Sequence, residues 1–219
     1  MAVLKKSSTP RQYKQTAGHF SSCKMKTSVW YNSVLQKNFM YWLEFDPDVV
    51  SYTTSTMPLK YYNRGKEELY YPDFQVIRHR KKQVVDLQLQ KAIQSKKYRR
   101  LYPLLYNVCR DAEWEYTALT ELQVQQKPII FNIKLLYRYA RENFSIDDYE
   151  NCLSILKSTV PASLSEICEL LDCQNIRKNV LFKLLFYSFV EINLKESINP
   201  DSQITAVSSK PNWKVLFNA

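Results

Sequence analysis

From Thr27 onward, apolar positions fall into helical and strand periods that replace one another along the chain. Val34, Leu35, Phe39, Trp42 and Leu43 recur at helical spacing, and Ser28 or Ser33 is placed to cap the start. Asp46-Pro47 ends the run, because a residue ahead of proline avoids the helical region. Positions 49–53 and 59–62 have strand patterns; Asn63, Arg64, Gly65 and Lys66 make a hairpin turn, with 69–78 as the returning strand. A charged turn covers 78–82. In 83–90 the alternation sets Val85, Leu87 and Leu89 on one face and Asp86, Gln88 and Gln90 on the other. A helix follows with Ile93, Leu101, Leu104, Leu105 and Val108 inward, kinked or divided by Pro103. Positions 114–119 form a buried strand, Thr120 and Glu121 open a short helical segment, and 129–140 is a helix. Helix, hairpin, strand, helix, strand predicts an α/β domain with a mixed sheet flanked by helices.

The pattern changes at 141–147. Positions 149–157 form a helix, and Ser163 caps a second over 164–171 with Glu166 completing a capping box. After a tight turn at 172–174, a third helix over 175–187 carries Ile176, Val180, Leu181, Leu184 and Leu185 and offers Arg177, Lys178 and Lys183 outward. Two strands, 189–194 and 203–207, close the pattern. Helix, turn, helix, hairpin is a winged-helix order. The expected division is a basic arm over 1–27, an α/β domain over 28–142, and a winged-helix domain with a tail over 143–219.

Charge sharpens this division. The net charge is +10. Residues 1–26 contain Lys5, Lys6, Arg11, Lys14, Lys24 and Lys26 and no acidic group. Residues 143–219 hold seven Lys and Arg against nine Asp and Glu, so the first 142 residues carry +12 and the rest −2. A basic first part suits a polyanion, and cations mix with tyrosines over 78–106. Lys5, Lys6, Arg11, Lys14, Arg78, Arg80, Lys81, Lys82, Lys96, Lys97, Arg99 and Arg100 are the candidate DNA contacts. The acidic last third is expected to dock protein, since phosphate contacts dominate DNA affinity. In the tail, Trp213, Leu216 and Phe217 follow Pro211 and form either a strand packed on its own domain or a partner-binding peptide. No apolar run reaches the length of a membrane span and the N-terminus lacks a leader pattern, so an intracellular protein is expected. Five scattered cysteines without a CxxC pair, and two histidines, do not make a zinc site. The lack of a glycine-rich loop speaks against phosphate-loop enzymes.

Pro72-Asp73 on one strand, with Asp86-Leu87-Gln88 on the next, outlines a metal-dependent nuclease of the PD-(D/E)xK type. Such a site uses carboxylates to hold Mg²⁺ or Mn²⁺, which polarises the phosphate and acidifies a water. A lysine beside them stabilises the charge of the transition state. Spacing of two puts the acid and the lysine on one strand face. Asp73 fits the first position and Asp86 the second, but Gln88 stands where the lysine belongs. Lys91 is on the wrong face by parity, and Lys81 and Lys82 lie across the turn.

LEFDPDVVSY at 43–52, YYPDF at 70–74, VVDLQ at 84–88, EYTALTELQV at 115–124 and IIFNIKLLYRYA at 129–140 resemble the TnsA family, the endonuclease subunit of heteromeric transposases. The resemblance runs from about Ser33 to Ala140. It implies a restriction-endonuclease-like first domain, a winged-helix second domain, transposon-end DNA as substrate, and two partners: a DDE-type transposase like TnsB and an AAA+ ATPase like TnsC. It also implies a bacterial, cytoplasmic, DNA-associated protein. The family's catalytic set is a helix Glu in Ser-x-x-Glu, the Asp of PDF and a Glu/Gln-x-Lys strand. Carried across, the Asp is Asp73 and the strand acid is Asp86, and the resemblance makes these two the metal ligands. The helix Glu becomes Gln36 and the lysine becomes Gln88, so the expected site is degenerate. Glu44 is expected to face the N-terminal region rather than replace a ligand. The competing expectations are an active endonuclease cutting the 5′ strand at transposon ends, and a stand-alone winged-helix DNA-binding regulator.

Overall fold

The computed structural model describes residues 16–54 and 56–207. The chain forms two compact units, Met1–Gln125 and Gln126–Ala219.

In the first unit, β1 (Gly18–Ser22) and β2 (Thr27–Tyr31) make an antiparallel hairpin. Helix α1 (Val34–Phe45) starts at Ser33, whose side chain accepts the Gln36 N–H, and ends at Asp46. Then come β3 (Val49–Thr53), β4 (Leu59–Asn63), β5 (Lys66–Tyr70), β6 (Phe74–Arg78) and β7 (Lys82–Gln88). A short α2 (Gln90–Ile93) precedes α3 (Lys96–Asp111), β8 (Glu115–Thr120) and α4 (Glu121–Val124). The main sheet has the order β3-β6-β7-β8. Its first three strands are antiparallel and β8 runs parallel to β7. A parallel neighbour needs a crossover, and α3 supplies it. One sheet face meets α1, where Phe39 and Phe74 pack edge to face at 5.1 Å. The other face packs Val84 and Tyr116 with Leu105 and Cys109 of α3 and Tyr61 of β4. The expected mixed sheet flanked by helices is therefore present.

Three expectations change. The strand over 69–78 is two strands in two sheets: β5 pairs only with β4, and β6 joins β3 and β7. Pro72 sits at the break, where a residue without an N–H cannot extend the ladder. Pro103 lies inside α3, whose helix continues through it, and the division falls at Gln94 and Ser95 instead. Residues 18–27, expected as arm, form the first hairpin, and Glu44 fixes its turn. The Glu44 carboxylate accepts from the Ser22 hydroxyl, the Cys23 N–H at 3.0 Å, the Lys24 N–H at 3.2 Å and the Tyr52 hydroxyl at 2.7 Å. Lys24 Nζ in turn donates to the carbonyls of Asp46 and Val49, the latter at 2.7 Å. Glu44 thus faces the N-terminal region, as expected.

The second unit holds α5 (Ile129–Tyr137), α6 (Ile146–Thr159), β9 (Ala162–Ser163), α7 (Leu164–Cys173), α8 (Asn179–Phe186), β10 (Val190–Ile192) and β11 (Gln203–Val207). Capping boxes at Ser145–Asp148 and Ser163–Glu166 set the starts of α6 and α7. The strands form one antiparallel sheet in the order β10-β11-β9. Helix α5 belongs here and not with the first domain. Tyr137 packs against Phe186 of α8 at 5.4 Å, and buried Asn132 holds the β10–β11 connection through Leu194 O, Glu196 O and the Ile198 N–H. The division at Gln125 and Gln126, rather than 142 and 143, follows from these contacts. No helix of the described residues is long and apolar enough to cross a membrane. The five cysteines are free, and burial pushes the Cys109 thiol up to about 11 and that of Cys152 to about 12, so neither is a ready nucleophile.

Candidate functional site

The four positions marked by the motif and the resemblance resolve into two hydrogen-bonded pairs. Ser33 places Gln36 in the first turn of α1, where its side chain is buried. Gln36 Oε1 accepts the Asn32 N–H at 2.9 Å. That contact fixes the amide orientation, because only the oxygen can accept. Nε2 is thereby turned to Asp73 and donates to Oδ1 at 2.7 Å. Asp73 Oδ2 accepts the Leu87 N–H at 2.8 Å, and the Asp73 N–H donates to Val85 O at 3.1 Å. Asp73 is thus gripped by α1 on one side and by β7 on the other.

Asp86 and Gln88 share a strand face, as their spacing requires, and Gln88 Nε2 donates to Asp86 Oδ2 at 2.7 Å. The same oxygen accepts from the Tyr70 hydroxyl at 2.5 Å and the Tyr116 hydroxyl at 3.2 Å, with the Tyr98 hydroxyl at 3.5 Å. Asp86 is only 1% exposed. Burial, and then the Asp86 charge, push the phenols of Tyr70, Tyr98 and Tyr116 well above the usual tyrosine range, so they remain protonated donors. The Asp73 charge also acts on Tyr70. A buried carboxylate without hydrogen bonds would be costly, and here neutral N–H and O–H donors surround it.

Mg²⁺ and Mn²⁺ take oxygen ligands, and here both amides turn a nitrogen, not an oxygen, toward the carboxylates. N–H groups cover both Asp73 oxygens, and Nε2 of Gln88 faces Asp86. Among the described residues no group of three or more His, Cys, Asp or Glu is placed to hold a metal ion. In the sequence only Tyr98 of the three stood out, as one aromatic among the cations of 78–106, and nothing marked Tyr70 or Tyr116. Tyr70, Tyr98 and Tyr116 come from β5, α3 and β8, and only the folded sheet brings them to Asp86.

The candidate DNA contacts divide. Arg78 turns inward: its guanidinium pairs with Asp46 at 2.6 Å and Asp48 at 3.4 Å and donates to Gln83 at 3.1 Å, so it is a structural cation. Arg80, Lys81, Lys82, Lys96, Lys97, Arg99 and Arg100 are exposed. The last four lie in the first turns of α3, which has no acidic residue in its first turn. Cations there oppose the helix dipole, so helix stability does not account for them. Lys183, expected to point outward, is wholly buried and donates to Glu142 O at 2.7 Å between the rings of Tyr149 and Tyr187. Lys5, Lys6, Arg11 and Lys14, and Trp213, Leu216 and Phe217, lie outside the described residues. No protein-family model and no curated protein matches this sequence.

Proposed function

We propose that the chain is a TnsA-like subunit of a DNA transposition machinery whose nuclease-type site is kept as a hydrogen-bonded scaffold and no longer cuts. One observation carries this reading: Gln36 Nε2 on Asp73 and Gln88 Nε2 on Asp86, each at 2.7 Å, put neutral donors where a metal-dependent site needs cations. A helix, three antiparallel strands, a crossover helix and a parallel strand set Asp73 just ahead of β6 and the Asp86–Gln88 pair on its central neighbour β7, in keeping with a restriction-endonuclease-like site. In the second unit, the order α6, β9, α7, α8, β10, β11, with β9 pairing β11, supports a winged helix.

The scaffold would bind transposon-end DNA through the exposed cations at the start of α3 and assemble with a DDE-type transposase and an AAA+ ATPase. Loss of one charged ligand and of the lysine each lowers the rate of such an electrostatic site by roughly two to four powers of ten. The test is strand nicking at transposon ends with Mg²⁺ or Mn²⁺ and both partners present. The expected result is no cleavage that depends on Asp73, together with partner-dependent DNA binding. Nicking that Asp73→Ala abolishes would establish the active endonuclease instead.

A further inference from the structure

A second surface lies at the opposite end of the sheet from Asp73. Arg80 and Lys81 lie in the turn between β6 and β7 and Lys82 opens β7; facing them are Tyr106 and Arg110 of α3 with Glu113 and, at the start of β8, Glu115. Together with Trp114 they line a groove of about 380 Å³. The register Gln83↔Glu115 fixes this end of the sheet. Gln88 is six residues beyond Lys82 along β7, roughly 20 Å away at about 3.3 Å per residue.

Four cations face two acids in the groove. Lys81 is neutralised by Glu115 at 2.7 Å, and this contact holds the Glu115 carboxyl below the usual range. Arg110 meets Asp111 at 3.1 Å, but both side chains are more than 60% exposed, and such pairs are weak. Arg80 and Lys82 pair with no carboxylate among the described residues. Tyr106 is 43% exposed, and its ring lies within 20° of parallel to Tyr102 at 6.3 Å. The groove therefore combines unneutralised cations with a ring held in place on one side.

We propose that this groove binds single-stranded nucleic acid, with phosphates on Arg80, Lys82 and Arg110 and an unstacked base against Tyr106. Cations along a groove with an aromatic platform are the elements of such recognition. A duplex keeps its bases stacked inside and leaves the ring without a partner. The inference does not rest on the transposition reading, because the groove is separate from the Asp73 site.

The test is fluorescence anisotropy of the full chain with labelled oligo-dT and oligo-rU of about 12 nucleotides, inside the range of known single-strand sites. Comparing the two oligomers tells DNA from RNA as the source. The double variant R80Q/K82Q is expected to bind at least about tenfold more weakly and to lose about 1.4 from the salt slope, at about 0.7 per phosphate. Tyr106→Ala is expected to weaken binding roughly 5- to 150-fold, the range for loss of one stacked base, while Tyr106→Phe retains it. All these residues are on the surface, and unchanged melting curves would show that the variants fold. Undiminished binding by both R80Q/K82Q and Tyr106→Ala overturns the proposal. So does a duplex, or an acidic peptide, that binds as tightly as the single strand. None of these outcomes bears on strand nicking, so the two readings fail separately.

Discussion

An amide has one end that accepts and one that donates, and Gln36 uses both. Its oxygen takes the Asn32 N–H and its nitrogen faces Asp73. A glutamate at 36 would set oxygen against oxygen, a contact that only a cation could relieve. The same logic holds at Gln88, where a lysine would bring a full charge to Asp86. The spacing of Asp73 and Asp86-x-Gln88 could be read directly because each lies within one strand or at its edge. The tyrosine shell could not, since its members are separated by up to 46 positions in the sequence (Tyr70 to Tyr116) and meet only through strand pairing. Asp86→Ala is expected to cost about 3 kcal/mol or more, because several buried donors lose their acceptor at about 1–3 kcal/mol each. Asp86→Asn, which keeps an acceptor oxygen, should cost less. Urea unfolding measures both; an Asp86→Ala variant within about 0.5 kcal/mol of the parent would show that the network contributes little.

Elements with local signals formed close to where the sequence placed them: α1 behind Ser33, α7 behind its capping box, and β7 with its alternation, which stops at Gln88 because Leu89 and Gln90 open α2. Elements set by tertiary contact did not. The hairpin of β1 and β2 has no strong periodicity and is held by Glu44 and Lys24 from outside its own strands. Lys183 looked like surface because lysine usually is, yet a carbonyl and two tyrosine rings house it in the core. Lys24 makes the hairpin clamp measurable. Burial lowers its pKa to about 8, against the raising pull of Glu44, Asp46 and Asp48, with Arg78 adding to the lowering. In the unfolded chain lysine titrates near 10.5, so between these values the unfolded state binds more protons and stability rises with pH. This contribution is present above about 10.5 and is lost as pH falls through about 8. The stability of the parent relative to Lys24→Met should therefore increase from pH 7 to about 10, as read from urea midpoints, while buried tyrosines and thiols act equally on both chains. A constant difference across that interval would place Lys24 in solvent-like surroundings.

At the scale of the whole molecule, the charge asymmetry survives but moves. With the division at Gln125, the first unit carries 20 basic and 11 acidic residues and the second 11 and 10. Lys127, Lys134, Arg138 and Arg141, with Glu142, turn the expected −2 of the second part into +1. The second unit is thus near neutral rather than acidic, and the net positive charge is still concentrated in the first. We propose that the buried centre of carboxylates, amides and phenols in the first unit works as a scaffold and not as a metal site. Melting of the full chain as Mn²⁺ is added tests this claim most directly, with Gln36→Glu, Asp73→Asn and the parent compared. The parent should melt at the same temperature with or without metal. Gln36→Glu should lose about 3 kcal/mol or more without metal, from an unpaired buried charge, and recover much of it with Mn²⁺. A parent chain that gains stability from Mn²⁺, with the gain lost in Asp73→Asn, would contradict the account and return Asp73 to a working metal centre.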